Sequence, residues 1–132
     1  MQITKNFNLN EFECKCGECE IPRIGVDNII DLAEELQILR NELDKGTLSL
    51  NSGYRCPKQN EEENGVIDSE HIYARAGDVV SEFATPDEVA DKVEELVKVG
   101  KMKIGGLGRY NTFTHIDIRR DKARWDNRED NG

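Results

Sequence analysis

The chain contains only two histidines, and each lies close in sequence to an aspartate. His71 stands in Ser69-Glu70-His71-Ile72-Tyr73-Ala74-Arg75-Ala76-Gly77-Asp78, and His115 in Phe113-Thr114-His115-Ile116-Asp117-Ile118-Arg119. Imidazole and carboxylate are the usual ligands of a catalytic zinc, which takes three protein ligands and leaves one position for water. Residues two apart on a strand share a face. A strand through 113–119 therefore points His115 and Asp117 the same way and turns Ile116 and Ile118 toward a core. A loop between 71 and 78, small at Ala74, Ala76 and Gly77, can wrap His71 and Asp78 to one point. Ligands drawn from His71, Asp78 and His115 would give a zinc site with one open position. Simpler readings stand beside it. Either histidine can be an ordinary hydrogen-bonding residue, Asp78 can merely open a strand, and Asp117 can pair with Arg119 or Arg55.

Three of the four cysteines are bunched in Cys14-Lys15-Cys16-Gly17-Glu18-Cys19, and Cys56 follows Tyr54-Arg55. In reducing surroundings clustered cysteines bind metal more often than they form disulfides. A tetrahedral zinc on all four thiolates is one reading, if Cys56 folds back onto the N-terminal knuckle. Free thiols on a tight glycine turn are the other.

The elements that must position these groups can be read from periodicity. Ile29, Leu32, Ala33, Leu36, Leu39 and Leu43 recur at spacings of three and four, which predicts a helix over about Val26–Leu43, with Asp27 near its start and Gly46 just past its end. Residues 47–53 read as a strand, 57–68 as a short helix and loop, and 77–83 as a second strand. Thr85-Pro86-Asp87-Glu88 supplies an N-cap, a proline at the first helical position and a capping-box glutamate. The helix it opens buries Val89, Val93, Leu96 and Val97 and ends at Gly100. Gly105-Gly106-Leu107-Gly108 reads as a turn before the third strand, 113–119, and the charged tail after Trp125 as frayed. No repeat or linker divides the chain. The order predicts a single α+β domain, with a small antiparallel sheet and flanking helices.

The 132 residues are enough to bury about two thirds of the unfolded surface. Hydrophobic residues make up 36% and charged residues 34%, and the net charge is −9. That balance speaks against nucleic acid, whose phosphates require a basic surface. It also gives no electrostatic help in approaching an anionic cell wall. No run approaches the roughly 18 apolar residues of a membrane span. The N-terminus lacks the apolar core of a secretory signal. The expectation is a monomeric, soluble protein that stays in the cytoplasm as made unless something releases it.

Ser-x-His-x-x-x-x-Ala-x-Asp, then Phe-x-His-x-Asp-x-Arg and an Arg-Trp pair, resembles the zinc D-Ala-D-Ala carboxypeptidase family. That family includes phage L-alanyl-D-glutamate endopeptidases and shares its fold with the hedgehog signalling domain. The similarity covers nearly the whole chain. It takes in Asn6-Phe7, Glu11-Phe12-Glu13-Cys14, Leu36-Gln37-Ile38-Leu39-Arg40, Asn51-Ser52-Gly53-Tyr54-Arg55-Cys56-Pro57 and Gly105-Gly106-Leu107-Gly108-Arg109-Tyr110.

The resemblance implies that His71, Asp78 and His115 hold the zinc, that Arg55 receives the substrate's carboxylate, and that Ser69 lies at the rim as a hydrogen-bonder to substrate. The implied activity is hydrolysis of peptidoglycan stem peptides, by a carboxypeptidase or a phage-lysin-like endopeptidase that acts at the wall once released. Two positions depart from the family pattern. Ala74 replaces the usual glycine, which matters only if a positive φ is needed there. Many relatives place Glu or Asp three residues before the last histidine, where this chain has Thr112. Asp117 is then the candidate for the base or for a residue that orients His115, the alternative being Asp117 as a zinc ligand with His115 as the acid/base partner. The missing carboxylate leaves two alternatives, a non-catalytic zinc-binding interaction domain and a virion structural protein.

Overall fold

A computed structural model describes residues 1–43 and 46–129. Helix α1 (Arg23–Glu42) buries Ile29, Leu32, Ala33, Leu36 and Leu39, the stripe its period predicts. It begins three residues before Val26, because Pro22 caps it with an extended backbone and no side-chain bond. A 3₁₀ turn (Leu9–Phe12) precedes it and drives Phe7 and Phe12 fully into the core. Helix α2 (Pro57–Glu62) is short, and α3 (Pro86–Lys98) starts at the expected capping box. Glu88 N–H donates to Thr85 Oγ1 at 3.1 Å while Thr85 N–H donates to Glu88 Oε1 at 3.0 Å. Such a cap is worth about 1 kcal/mol.

Five strands form one sheet in the order β1-β2-β4-β3-β5: β1 (Ser49–Ser52), β2 (Ala76–Val80), β3 (Gly106–Arg109), β4 (Thr114–Asp117) and β5 (Ala123–Asp126). Every pairing is antiparallel except β3 with β5, which is parallel. The α+β architecture is therefore the expected one. Two local readings are corrected. The glycine run is not a turn, since Gly106–Arg109 is a paired inner strand. The tail after Trp125 is not frayed through 129, since Asp126 belongs to β5, Asn127 N–H donates to Arg109 O at 2.8 Å and Glu129 N–H donates to Asn111 Oδ1 at 2.6 Å. Residues 130–132 lie outside the described residues.

Val79, Leu107 and Ile116 are buried on the sheet face that α1 and α3 cover, and Gly77 lies against Leu32 and Leu36 of α1. On the other face the register aligns one row across all five strands, Ser52–Asp78–His115–Gly108–Trp125. Residues paired in this way present their side chains to the same side. Among the described residues, no helix is long and apolar enough to cross a membrane.

Candidate active site

Asp78 and His115 are cross-strand partners on β2 and β4, so sheet register alone sets their side chains together. His71 comes from the turn that precedes β2. There Ala74 N–H donates to His71 O at 3.1 Å, and the Ser69 hydroxyl accepts the His71 backbone N–H at 3.2 Å. Ala74 adopts φ +58, a left-handed conformation that glycine takes without strain and alanine does not. The turn brings His71 Nε2 to 3.2 Å from Asp78 Oδ1, and His115 Nδ1 lies 3.1 Å from the same oxygen. All three side chains are buried, at 2%, 5% and 7% exposure for His71, Asp78 and His115. They form the floor of an open cleft of about 620 Å³, whose walls include Arg55, Ser69, Tyr110, Phe113, Arg119 and Trp125.

The second contact of each ligand fixes which atom faces inward. His71 Nδ1 lies 2.7 Å from Gly53 O, which can only accept, so the hydrogen sits on Nδ1 and the Nε2 lone pair faces Asp78. His115 Nε2 lies 2.7 Å from Asp117 Oδ2, and the same logic leaves its Nδ1 lone pair turned toward Asp78. Asp78 Oδ2 accepts from Arg55 Nη2 at 2.9 Å, which leaves Oδ1 for the shared point. In the neutral tautomers that these contacts select, two lone pairs and one carboxylate oxygen converge, an arrangement that a cation satisfies. Zinc bonds of about 2.0–2.1 Å in a tetrahedron imply ligand–ligand edges of roughly 3.3 Å, close to these separations. The donor set, the distances and the oriented outer contacts all fit zinc.

Burial alone would raise the Asp78 carboxyl, but its hydrogen bonds with His115 and His71 outweigh that and hold it well below the usual carboxylate range. Burial disfavours charge on His115, yet Asp117 and Asp78 together raise its proton affinity, so a proton competes with metal for this nitrogen.

Asp117 is completely buried. Its Oδ1 accepts from the backbone N–H groups of Gly106 and Arg119, at 3.0 and 3.1 Å. The Arg119 guanidinium adds a two-pronged contact, Nε to Oδ1 at 2.8 Å and Nη2 to Oδ2 at 2.7 Å. Burial would push this carboxyl up as well, but His115 and Arg119 hold it far below its ordinary range. Both of its oxygens are engaged, and it touches the nitrogen of His115 that points away from Asp78.

Arg55 lines the cleft with Nη2 committed to Asp78 and Nε to Ser52 Oγ at 2.9 Å, while Nη1 makes only a 3.4 Å contact to Asn60. An aromatic wall completes the cleft. Tyr110 stacks on Phe113 at 4.3 Å between ring centres, and Trp125 lies 4.9 Å from the His115 ring and donates Nε1–H to Tyr110 Oη at 2.9 Å. Gly53 O as the partner of His71, and this wall, went unread in the sequence. A backbone carbonyl has no residue-type signal, and nothing local in the sequence says that Tyr110 after the glycine run, Phe113 at the start of the third strand and Trp125 just before the charged tail meet in one wall.

A family model described as Peptidase M15 matches residues 5–117, a span that holds all three candidate ligands. No curated protein matches the chain.

Proposed function

The chain belongs to the peptidase M15 family, and on that premise we propose that it is a zinc peptidase that hydrolyses the stem peptides of peptidoglycan. The observation that carries the proposal is the convergence of His71 Nε2, Asp78 Oδ1 and His115 Nδ1 on one point of the cleft floor. Zinc held there would supply the Lewis acidity that makes water nucleophilic near neutral pH and polarises the scissile carbonyl. His71, Asp78 and His115 hold the ion. Gly53 O, Arg55 and Asp117 fix the orientation of each ligand in turn.

In this reading Asp117 orients His115 and does not take the proton, because its oxygens are saturated and on the far side of the ring. Arg55 keeps its Nη1 edge for a substrate carboxylate, which competes well with a 3.4 Å contact. Ser69 orders the turn that carries His71 and leaves its hydroxyl hydrogen for substrate at the rim. Tyr110, Phe113 and Trp125 offer an apolar wall to the methyl groups of alanyl residues. The partner is the stem peptide alone, with no nucleic acid, and the protein acts at the wall after release, in the manner of a phage lysin.

Thr112, in place of a carboxylate, favours a second reading, a non-catalytic zinc domain. Incubating zinc-loaded protein with purified muropeptides and identifying fragments by mass spectrometry separates the two. Cleavage that His71→Ala and His115→Ala abolish supports the enzyme. An inert protein that binds zinc through those histidines supports the interaction domain.

A further inference from the structure

The bunched Cys14, Cys16 and Cys19 and the distant Cys56 meet at one place outside the cleft. Cys14, Cys16 and Cys19 come from the knuckle after the 3₁₀ turn, and Cys56 caps the N-terminus of α2. The Sγ–Sγ separations are 3.7 Å for Cys14–Cys56, 3.3 Å for Cys16–Cys19 and 3.9 Å for Cys16–Cys56, and all four sulfurs lie within 4.8 Å of one another. A disulfide requires about 2.05 Å, and all four thiols are free. A tetrahedron of zinc–sulfur bonds near 2.3 Å places sulfurs roughly 3.8 Å apart, which is the scale of these separations.

The surroundings also suit thiolates. Backbone N–H groups are directed at three of the sulfurs: Cys56 N–H at Cys14 Sγ (3.3 Å), Glu18 N–H at Cys16 Sγ (3.4 Å) and Gln59 N–H at Cys56 Sγ (3.5 Å). Donors of this kind stabilise negative sulfur. Cys14 packs in the core, whereas Cys16, Cys19 and Cys56 only border it and stay partly exposed.

We propose that Cys14, Cys16, Cys19 and Cys56 bind a structural zinc ion through four thiolates, and that this ion anchors residues 53–56 beside the cleft. The segment has a bond at nearly every residue. Tyr54 N–H donates to Phe12 O at 2.9 Å, Gly53 O orients His71, Arg55 holds Asp78, and Cys56 is itself a ligand. The knuckle thereby fastens the N-terminal segment to the strand end that supports two of the cleft's zinc ligands. The thiolate site stands without the peptidase reading, and only its consequence for His71 and Asp78 rests on that reading.

The test counts metal in reduced, zinc-loaded protein and repeats the measurement with cobalt. Wild-type protein should carry two metals per chain. Cys16→Ser/Cys19→Ser should carry one, and His71→Ala/His115→Ala should also carry one. The cobalt form should show sulfur-to-metal charge-transfer absorption, which the histidine variant retains and the cysteine variant loses. If the cysteine variant does not fold, cobalt-loaded wild-type protein decides alone, since the absorption supports the site and its absence overturns it. Full metal retention in a folded cysteine variant, or thiols that titrate freely in the zinc-loaded protein, also overturns it. Failure of the peptidase reading would look different, with the cysteine-dependent metal kept and the histidine-dependent one missing.

Discussion

Asp117 donates nothing and is completely buried, yet it controls the hydrogen on His115. Its replacement by Asn keeps the shape and removes the charge that both Arg119 and His115 rely on. An orienting carboxylate of this kind is worth about 10–100-fold in metal affinity or activity. Asp117→Asn should therefore weaken zinc at the histidine site by that factor in a chelator competition. Unchanged affinity with lost hydrolysis would instead make Asp117 the base. Ala74 poses a backbone question. Its left-handed conformation costs about 1–2 kcal/mol, and Ala74→Gly relieves this while adding unfolded-state entropy of about 0.4–1 kcal/mol and losing a buried methyl of about 0.8 kcal/mol. The terms nearly cancel, so Gly should lie within about 1 kcal/mol of wild type in urea unfolding. Ala74→Val puts a β-branched side chain where such residues are outliers, against Gly25, and should cost more than about 2 kcal/mol. Equal stabilities for the two variants would contradict the strained turn. At this scale the sequence was readable for His71, Asp78 and His115, whose residue types announce their chemistry. It was unreadable for Gly53 O, whose part depends on where the chain folds.

Elements were legible in proportion to their periodicity. The stripe of α1 and the capping box of α3 are local patterns, and both recur in the structure as read. Strand β4 was legible from its alternation. Strand β3 was not, because glycine is depleted in strands and Gly105-Gly106-Leu107-Gly108 carries the mark of a turn. The structure supplies the reason for the glycines, which is close approach. A Cβ on Gly106 would fall within the Asp117 carboxylate, and one on Gly108 within the Trp125 indole. Gly108 is the bare position between His115 and Trp125 in the row across the sheet, so the indole can lean over the histidine. The two glycines should consequently fail in different ways. Overpacking at either costs about 1–3 kcal/mol. Gly106→Ala should in addition loosen zinc at the histidine site, because it displaces the carboxylate behind His115. Gly108→Ala should displace the aromatic wall, weakening substrate binding while leaving zinc affinity near wild type. Chelator competition on the two purified variants checks this, and identical zinc affinities would refute the assignment of Gly106.

Across the whole molecule the two faces of the sheet divide the work, one packed on α1 and α3 and the other holding Asp78 and His115 at the floor of the cleft. The sheet's last strand lies beyond the span matched by the family, yet it carries the tryptophan of the wall and covers the edge of β3. Two of its four residues, Arg124 and Asp126, are charged, and local sequence offered no reason to order it as a strand. The reason is tertiary. Arg124 meets Glu94 on α3, Trp125 meets Tyr110, and four residues of β5 pair parallel with Gly106–Arg109. Ending the chain at Lys122 removes all of these and leaves an inner strand with open N–H and C=O groups, a template for association. The loss should amount to about 2–3 kcal/mol, a fall of roughly 10 °C in Tm for a domain of this size. Trp125→Ala keeps the backbone pairing and should lose less and stay monomeric, whereas the shortened chain self-associates with rising concentration. Thermal scans and light scattering on the two proteins make the comparison. An unshifted Tm for the shortened chain would mean that the sheet is complete with four strands and that β5 serves the cleft alone.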